Sequence, residues 1–104
     1  MSNIMETFID NVFFLMEKKQ VQMSEINEYL GMSKGWLWSV KTNRGKITLD
    51  KAYEIAEYLE TTLNVLTDKH FKTNMIISEK KRKIDAMKKE IAKLEEEIRE
   101  ASKG

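Results

Sequence analysis

The sequence predicts an all-α chain, and three observations predict it. Proline is absent, and only Gly31, Gly35, Gly45 and Gly104 oppose helix in 104 residues. Apolar residues recur at spacings of three and four along most of the chain, the period of one face of an α-helix. From Ile77 onward the repeat becomes a strict heptad, the period of a coiled coil.

The first helix is predicted over about Glu6 to Lys19, where Phe8, Ile9, Val12, Phe13, Leu15 and Met16 form a broad apolar face. Two short runs follow and meet at a glycine. In the first, from Ser24 to Leu30, Ile26 and Leu30 share a face, and Gly31 supplies the left-handed residue that ends it. Ser33 stands where its hydroxyl can cap the next helix, Lys34 to Thr42, whose buried side is Leu37 and Val40. A polar loop from Asn43 to Lys46 leads to Thr48, the expected cap of a fourth helix carrying Leu49, Ala52, Tyr53, Ile55, Ala56 and Leu59. After Thr61 and Thr62 a short fifth helix holds Leu63, Val65 and Leu66.

With 41% hydrophobic and 34% charged residues the chain can build one small helical core, not two, so an enzyme with a deep cleft is not expected. Cysteine is absent, which excludes disulfides and thiolate chemistry. The single histidine, His70, reads as a surface or packing residue, the carboxylates show no isolated pair, and there is no glycine-rich phosphate loop. No catalytic residue, metal or cofactor is therefore expected. No apolar run approaches the roughly 20 residues of a membrane span, and Asp10 interrupts the N-terminal apolar patch before it can act as a signal. A cytoplasmic protein with no membrane partner is the expectation.

The net charge of +1 is unevenly spread. Residues 1–74 hold 9 Lys and Arg against 10 Asp and Glu, yet Ser33 to Lys46 contains Lys34, Lys41, Arg44 and Lys46 and no acid. Two short helices that meet at a glycine and restart beside such a basic run look like a helix-turn-helix. Over residues 8–68 the spacing resembles the lambda-repressor and Cro-like family, often called the Xre family. That resemblance implies a five-helix DNA-binding domain over residues 1–72 and a homodimeric, sequence-specific regulator of bacterial or phage type, most simply a repressor, with operator DNA as its partner.

If Leu37 and Val40 face inward, Gly35 and Thr42 point most directly outward, with Trp38 and Ser39 beside them and Lys34 at the flank. Lys34, Trp38 and Ser39 are the candidate base contacts, and Gly35 permits close approach to the groove floor. Ser33, Thr42, Asn43, Arg44 and Lys46 are the candidate phosphate contacts. Trp36 falls at the edge of the apolar side and reads as half-buried packing. Trp38 has an equal alternative in packing on the side of the fourth helix or on a partner protein, and the latter would suit a protein-binding regulator such as an antirepressor or an inhibitor encoded by a mobile element.

The chain departs from the family pattern in four places. Asn27 stands where a small alanine usually lets the two helices approach, so either they sit apart or its amide finds a buried partner. Met16 and Lys41 stand where an arginine and a glutamate often pair, and an apolar contact is the expected substitute. Met23 replaces a frequent phosphate-binding glutamine, and Asn43 with Arg44 looks like an insertion.

Residues 73–104 read as a dimerisation helix. Ile77, Ile84, Ile91 and Ile98 occupy one core position of the heptad, and Lys80, Met87, Leu94 and Ala101 the other. Because residues 1–72 have elements enough to cover their own core, this seam is expected to pair with a second copy, through Ile77, Ile84, Met87, Ile91, Leu94, Ile98 and Ala101. Two rules disagree on its orientation, and the flanking charges, which bring Lys83 near Glu97 and Lys81 near Glu95 when one helix is turned round, lean to antiparallel. Isoleucine at one seam position with leucine or methionine at the other suits parallel dimers, but parallel pairing sets Lys83 against Lys88 and Glu90 against Glu95.

Overall fold

The computed structural model describes residues 3–42 and 46–103, and every regular element among them is α-helical. The six helices are α1 (Ile4–Lys19), α2 (Met23–Tyr29), α3 (Trp36–Thr42), α4 (Leu49–Tyr58), α5 (Leu63–Leu66) and α6 (Phe71–Ser102). The chain divides into two compact units, Met1–Lys72 and Thr73–Gly104.

Helix boundaries follow the caps. The α1 helix starts two residues before the apolar pattern suggests, because the Asn3 carboxamide oxygen accepts the Glu6 N–H at 2.8 Å. It ends on Gln20, which adopts φ 57 so that the Val21 N–H reaches back to the Met16 carbonyl at 2.9 Å. Thr48 caps α4 through the Lys51 N–H, and Thr62 caps α5 through the Val65 N–H, each at 3.3 Å. At the end of α4 Glu60 repeats the left-handed step with φ 57, and the Thr61 N–H closes on the Ala56 carbonyl at 2.9 Å.

Val12 of α1, Ile26 of α2, Leu37 of α3, Ile55 of α4, Leu59 and Leu66 are the fully buried centre of the first unit. Truncating any one of the larger of these to alanine removes about 2–5 kcal/mol. The α4 face is narrower than the sequence suggests: Leu49 and Tyr53 are 74% and 57% exposed. At about 100° per residue Ala52, Ile55, Ala56 and Leu59 share one arc, and Leu49 and Tyr53 fall past its edge.

Polar side chains close the core where helix ends would leave backbone groups unpaired. Buried Asn11, inside α1, donates to the carbonyls of Leu66 and Asp68, both at 2.9 Å. Lys19 donates to the Leu59 carbonyl at 2.6 Å, and Lys51 to the Leu30 carbonyl at 3.2 Å. Both cations sit at helix C-terminal ends, where the helix dipole favours positive charge.

The second unit is formed from α6, which contains no buried residue. No helix among the described residues is long and apolar enough to cross a membrane.

Candidate functional site

The segment from α2 to α3 is built around one turn and one buried amide. Gly31 takes φ 68, which lets the Gly31 N–H reach the Glu28 carbonyl at 3.1 Å and the Met32 N–H reach the Asn27 carbonyl at 2.8 Å. That pair of bonds satisfies the last carbonyls of α2 and turns the chain towards α3. Asn27 is 5% exposed, and its side-chain oxygen accepts the Leu37 N–H at 3.0 Å. The Asn27 amide thus has a buried partner, and that partner is one of the donors that the first turn of a helix leaves open.

This bond accompanies a later helix start than the sequence suggests. The third helix begins at Trp36, not at Lys34. Gly35 has φ 86 and its carbonyl accepts the Ser39 N–H at 3.0 Å, so Gly35 holds the capping position. Ser33 lies two residues further out and contributes its carbonyl, which accepts the Trp36 N–H at 3.1 Å. The expectation that its hydroxyl caps the helix is corrected accordingly.

On α3, Leu37 and Val40 are buried, while Trp38, Ser39 and Thr42 are exposed. Lys34 and Gly35, just ahead of the helix, are exposed as well, and no atom approaches within 4 Å of where a Cβ on Gly35 would stand. Trp36 is half-buried and Trp38 is 52% exposed. The Thr42 hydroxyl donates to the Trp38 carbonyl at 2.9 Å. Since a phosphate oxygen only accepts, Thr42 engages one by giving up that bond.

The other candidates fall at the C-terminal side of α3. Lys46 is exposed and, with Lys41, lines a cleft of about 530 Å³ into which Glu6 and Asp10 of α1 also face. Positive and negative side chains therefore line the same cleft. Asn43 and Arg44 lie outside the described residues.

Lys41 is the residue that the site expectations miss. Its ammonium stands 4.4 Å from the Phe13 ring centroid and 5.5 Å from that of Trp38, a cation–π contact joining α1 to α3. Met16, the residue expected to meet Lys41 through an apolar contact, is buried, and the Lys41 ammonium lies against Phe13 of the same helix. The three-residue step from Trp38 to Lys41 was a signal for half of this arrangement. Phe13 carried none, being distant in sequence.

Four other cations of the first unit are engaged away from α3. Lys19 and Lys51 hold helix carbonyls, and Lys18 and Lys72 each stand 5.6 Å from the Phe14 ring. Tyr58 lies tilted against Tyr29, with ring centroids 4.9 Å apart, and donates to Glu25 at 3.3 Å. Its hydroxyl is raised above the usual phenol value, first by desolvation and then by the negative charge of Glu25 and the hydrogen bond to it, with Glu28 adding to the effect. His70 is exposed, and its backbone N–H donates to Asp68 at 2.8 Å. Among the described residues no three His, Asp or Glu side chains gather as a metal site would require.

On α6 the seam residues form an exposed stripe. Ile77, Ile84, Met87, Ile91, Leu94 and Ile98 are between 45% and 66% exposed, and Ala101 is exposed beyond them. Compared with protein-family models, curated proteins and solved structures, the chain matches none.

Proposed function

We propose that this chain is a homodimeric, sequence-specific DNA-binding regulator of the lambda-repressor-like helix-turn-helix type, working in the cytoplasm by occluding a promoter rather than by catalysis. In this reading α1 to α5 are the five-helix domain, α2 and α3 the motif, and α6 the dimerisation helix. The observation that carries it is the two-sidedness of α3. Leu37 and Val40 are locked into the core while Trp38, Ser39 and Thr42, with Lys34 and Gly35 ahead of them, present one polar and aromatic face. A helix held by one side and polar on the other is what major-groove docking requires.

Lys34, Trp38 and Ser39 are the proposed base contacts. The ammonium reaches guanine acceptors and the indole covers thymine methyls. Ser33, Thr42, Asn43, Arg44 and Lys46 are the proposed phosphate contacts, which position the helix without reading sequence. Selection of bound duplexes from a random library tests this directly. A two-fold related motif is the expected outcome, and enrichment of no sequence at any salt concentration would refute it.

One observation favours a second reading, in which α3 docks on a protein. Trp38 is half exposed with a lysine alongside, the composition of an interface anchor. Trp38→Ala separates the two. Loss of duplex binding supports the first reading, and intact duplex binding with loss of a captured protein supports the second.

A further inference from the structure

The α6 helix runs without a break from Phe71 to Ser102, so the heptad from Ile77 to Ala101 keeps a single register. Its apolar stripe is exposed along the whole length. The residues flanking the stripe are sorted by sign: Lys81, Lys83 and Lys88 lie in the first half and Glu90, Glu95 and Glu97 in the second.

Resting on the homodimer proposed above, we infer that α6 pairs with the α6 of a second copy in antiparallel orientation, with Ile84 facing Leu94 and Met87 facing Ile91 across the seam. Parallel pairing puts Lys83 beside Lys88 and Glu90 beside Glu95, each twice, and all four contacts repel. Turning one helix round brings Lys83 beside Glu97 and Lys81 beside Glu95, each twice. Only Lys88 and Glu90 then meet their own copies, once each.

The same charges select the register. Sliding one heptad in one direction removes Ile77 and Lys80 from the seam and sets Glu90 against Glu97. Sliding the other way sets Lys81 against Lys88. In the register between, Ile77 faces Ala101 and Lys80 faces Ile98, where the lysine stem covers apolar surface and its ammonium extends to the flank that carries Glu95 and Glu97 of the second copy. Lysine in the seam, a defect in a parallel dimer, is thereby provided with anions.

Sedimentation equilibrium of the full chain and two sets of variants test this. For Lys83→Glu the antiparallel arrangement predicts a dimer Kd roughly tenfold weaker at low salt, because two attractive flank pairs change sign. Adding Glu97→Lys should restore it. A parallel dimer predicts the reverse, with Lys83→Glu tightening association and Glu97→Lys adding nothing. Separately, chains carrying Ile77→Cys and Ala101→Cys, mixed in a glutathione redox buffer, should give mainly the mixed disulfide. Predominant disulfides between like chains would overturn the antiparallel arrangement while leaving the dimer intact. A monomer at every concentration would overturn the homodimer itself.

Discussion

The side-chain oxygen of Asn27 accepts the backbone N–H of Leu37 at 3.0 Å, so the first turn of α3 is completed by a residue of α2. Two helices that meet around a glycine are thereby held by a directional bond as well as by apolar contact. Asn27→Ala leaves the Leu37 N–H buried and unpaired, which costs about 1–3 kcal/mol. Urea denaturation monitored by circular dichroism measures the loss. Because the bond sets where α3 begins, duplex affinity should fall by more than the loss of folded protein explains.

Asn11 predicts a second large effect. It donates to two carbonyls, of Leu66 and Asp68, from a buried position. Asn11→Leu keeps the branched skeleton, replaces the amide by two bulkier methyls and strands both acceptors, and about 1–3 kcal/mol per unpaired group is the expected scale. A denaturation midpoint equal to that of the parent chain would show that water replaces the amide there.

The left-handed residues give predictions of opposite sign. Gln20 and Glu60 hold φ 57, where a Cβ carries a steric penalty. Gln20→Gly and Glu60→Gly should each stabilise the chain, by up to about 1 kcal/mol, since glycine reaches this conformation without steric penalty. Gly31→Ala should destabilise by a similar amount. Nothing stands within 4 Å of the position its Cβ would take, so the penalty is backbone strain alone. Thermal melts of the three variants check the signs.

Lys34 and Lys46 should differ in kind under the proposed function. Lys46→Ala weakens all duplexes alike and lowers the slope of log affinity against log salt by roughly 0.9, the signature of one lost phosphate contact. Lys34→Ala costs on the order of 1–3 kcal/mol on the selected site and relaxes one base pair. Binding measured on selected and scrambled duplexes across a salt series distinguishes the two.

What the sequence makes legible is what local spacing encodes. The apolar face of α1, the Gly31 turn and the Thr48 cap are each decided by residues within one or two turns of one another, and the structure places them where the spacing puts them. The start of α3 is different. It depends on Gly35 at φ 86 and on an amide from another helix, so Lys34 looked helical with Ser33 as its cap, whereas the helix begins at Trp36 with Gly35 ahead of it. Gln20 and Glu60 were illegible for a related reason, since neither residue type marks a left-handed step. At the candidate site the buried pair Leu37 and Val40 fixed the outward face by period alone. The contact of Lys41 with Phe13, and the carboxylates of Glu6 and Asp10 that share its cleft, arise only when α1 packs beside α3.

The bonds of Asn11 have a consequence for how the first unit opens. They fasten a side chain near the start of the chain to the last residue of α5 and to the backbone just past it, across most of the unit's sequence. A helix as short as α5 would otherwise fray by itself and exchange its amide hydrogens rapidly. Fastened in this way, it cannot lift without exposing a desolvated carboxamide inside α1. Amides of α1 and α5 should therefore exchange with deuterium together, in a single opening event with the free energy of global unfolding, and proteases should find no early cut at residues 63–66.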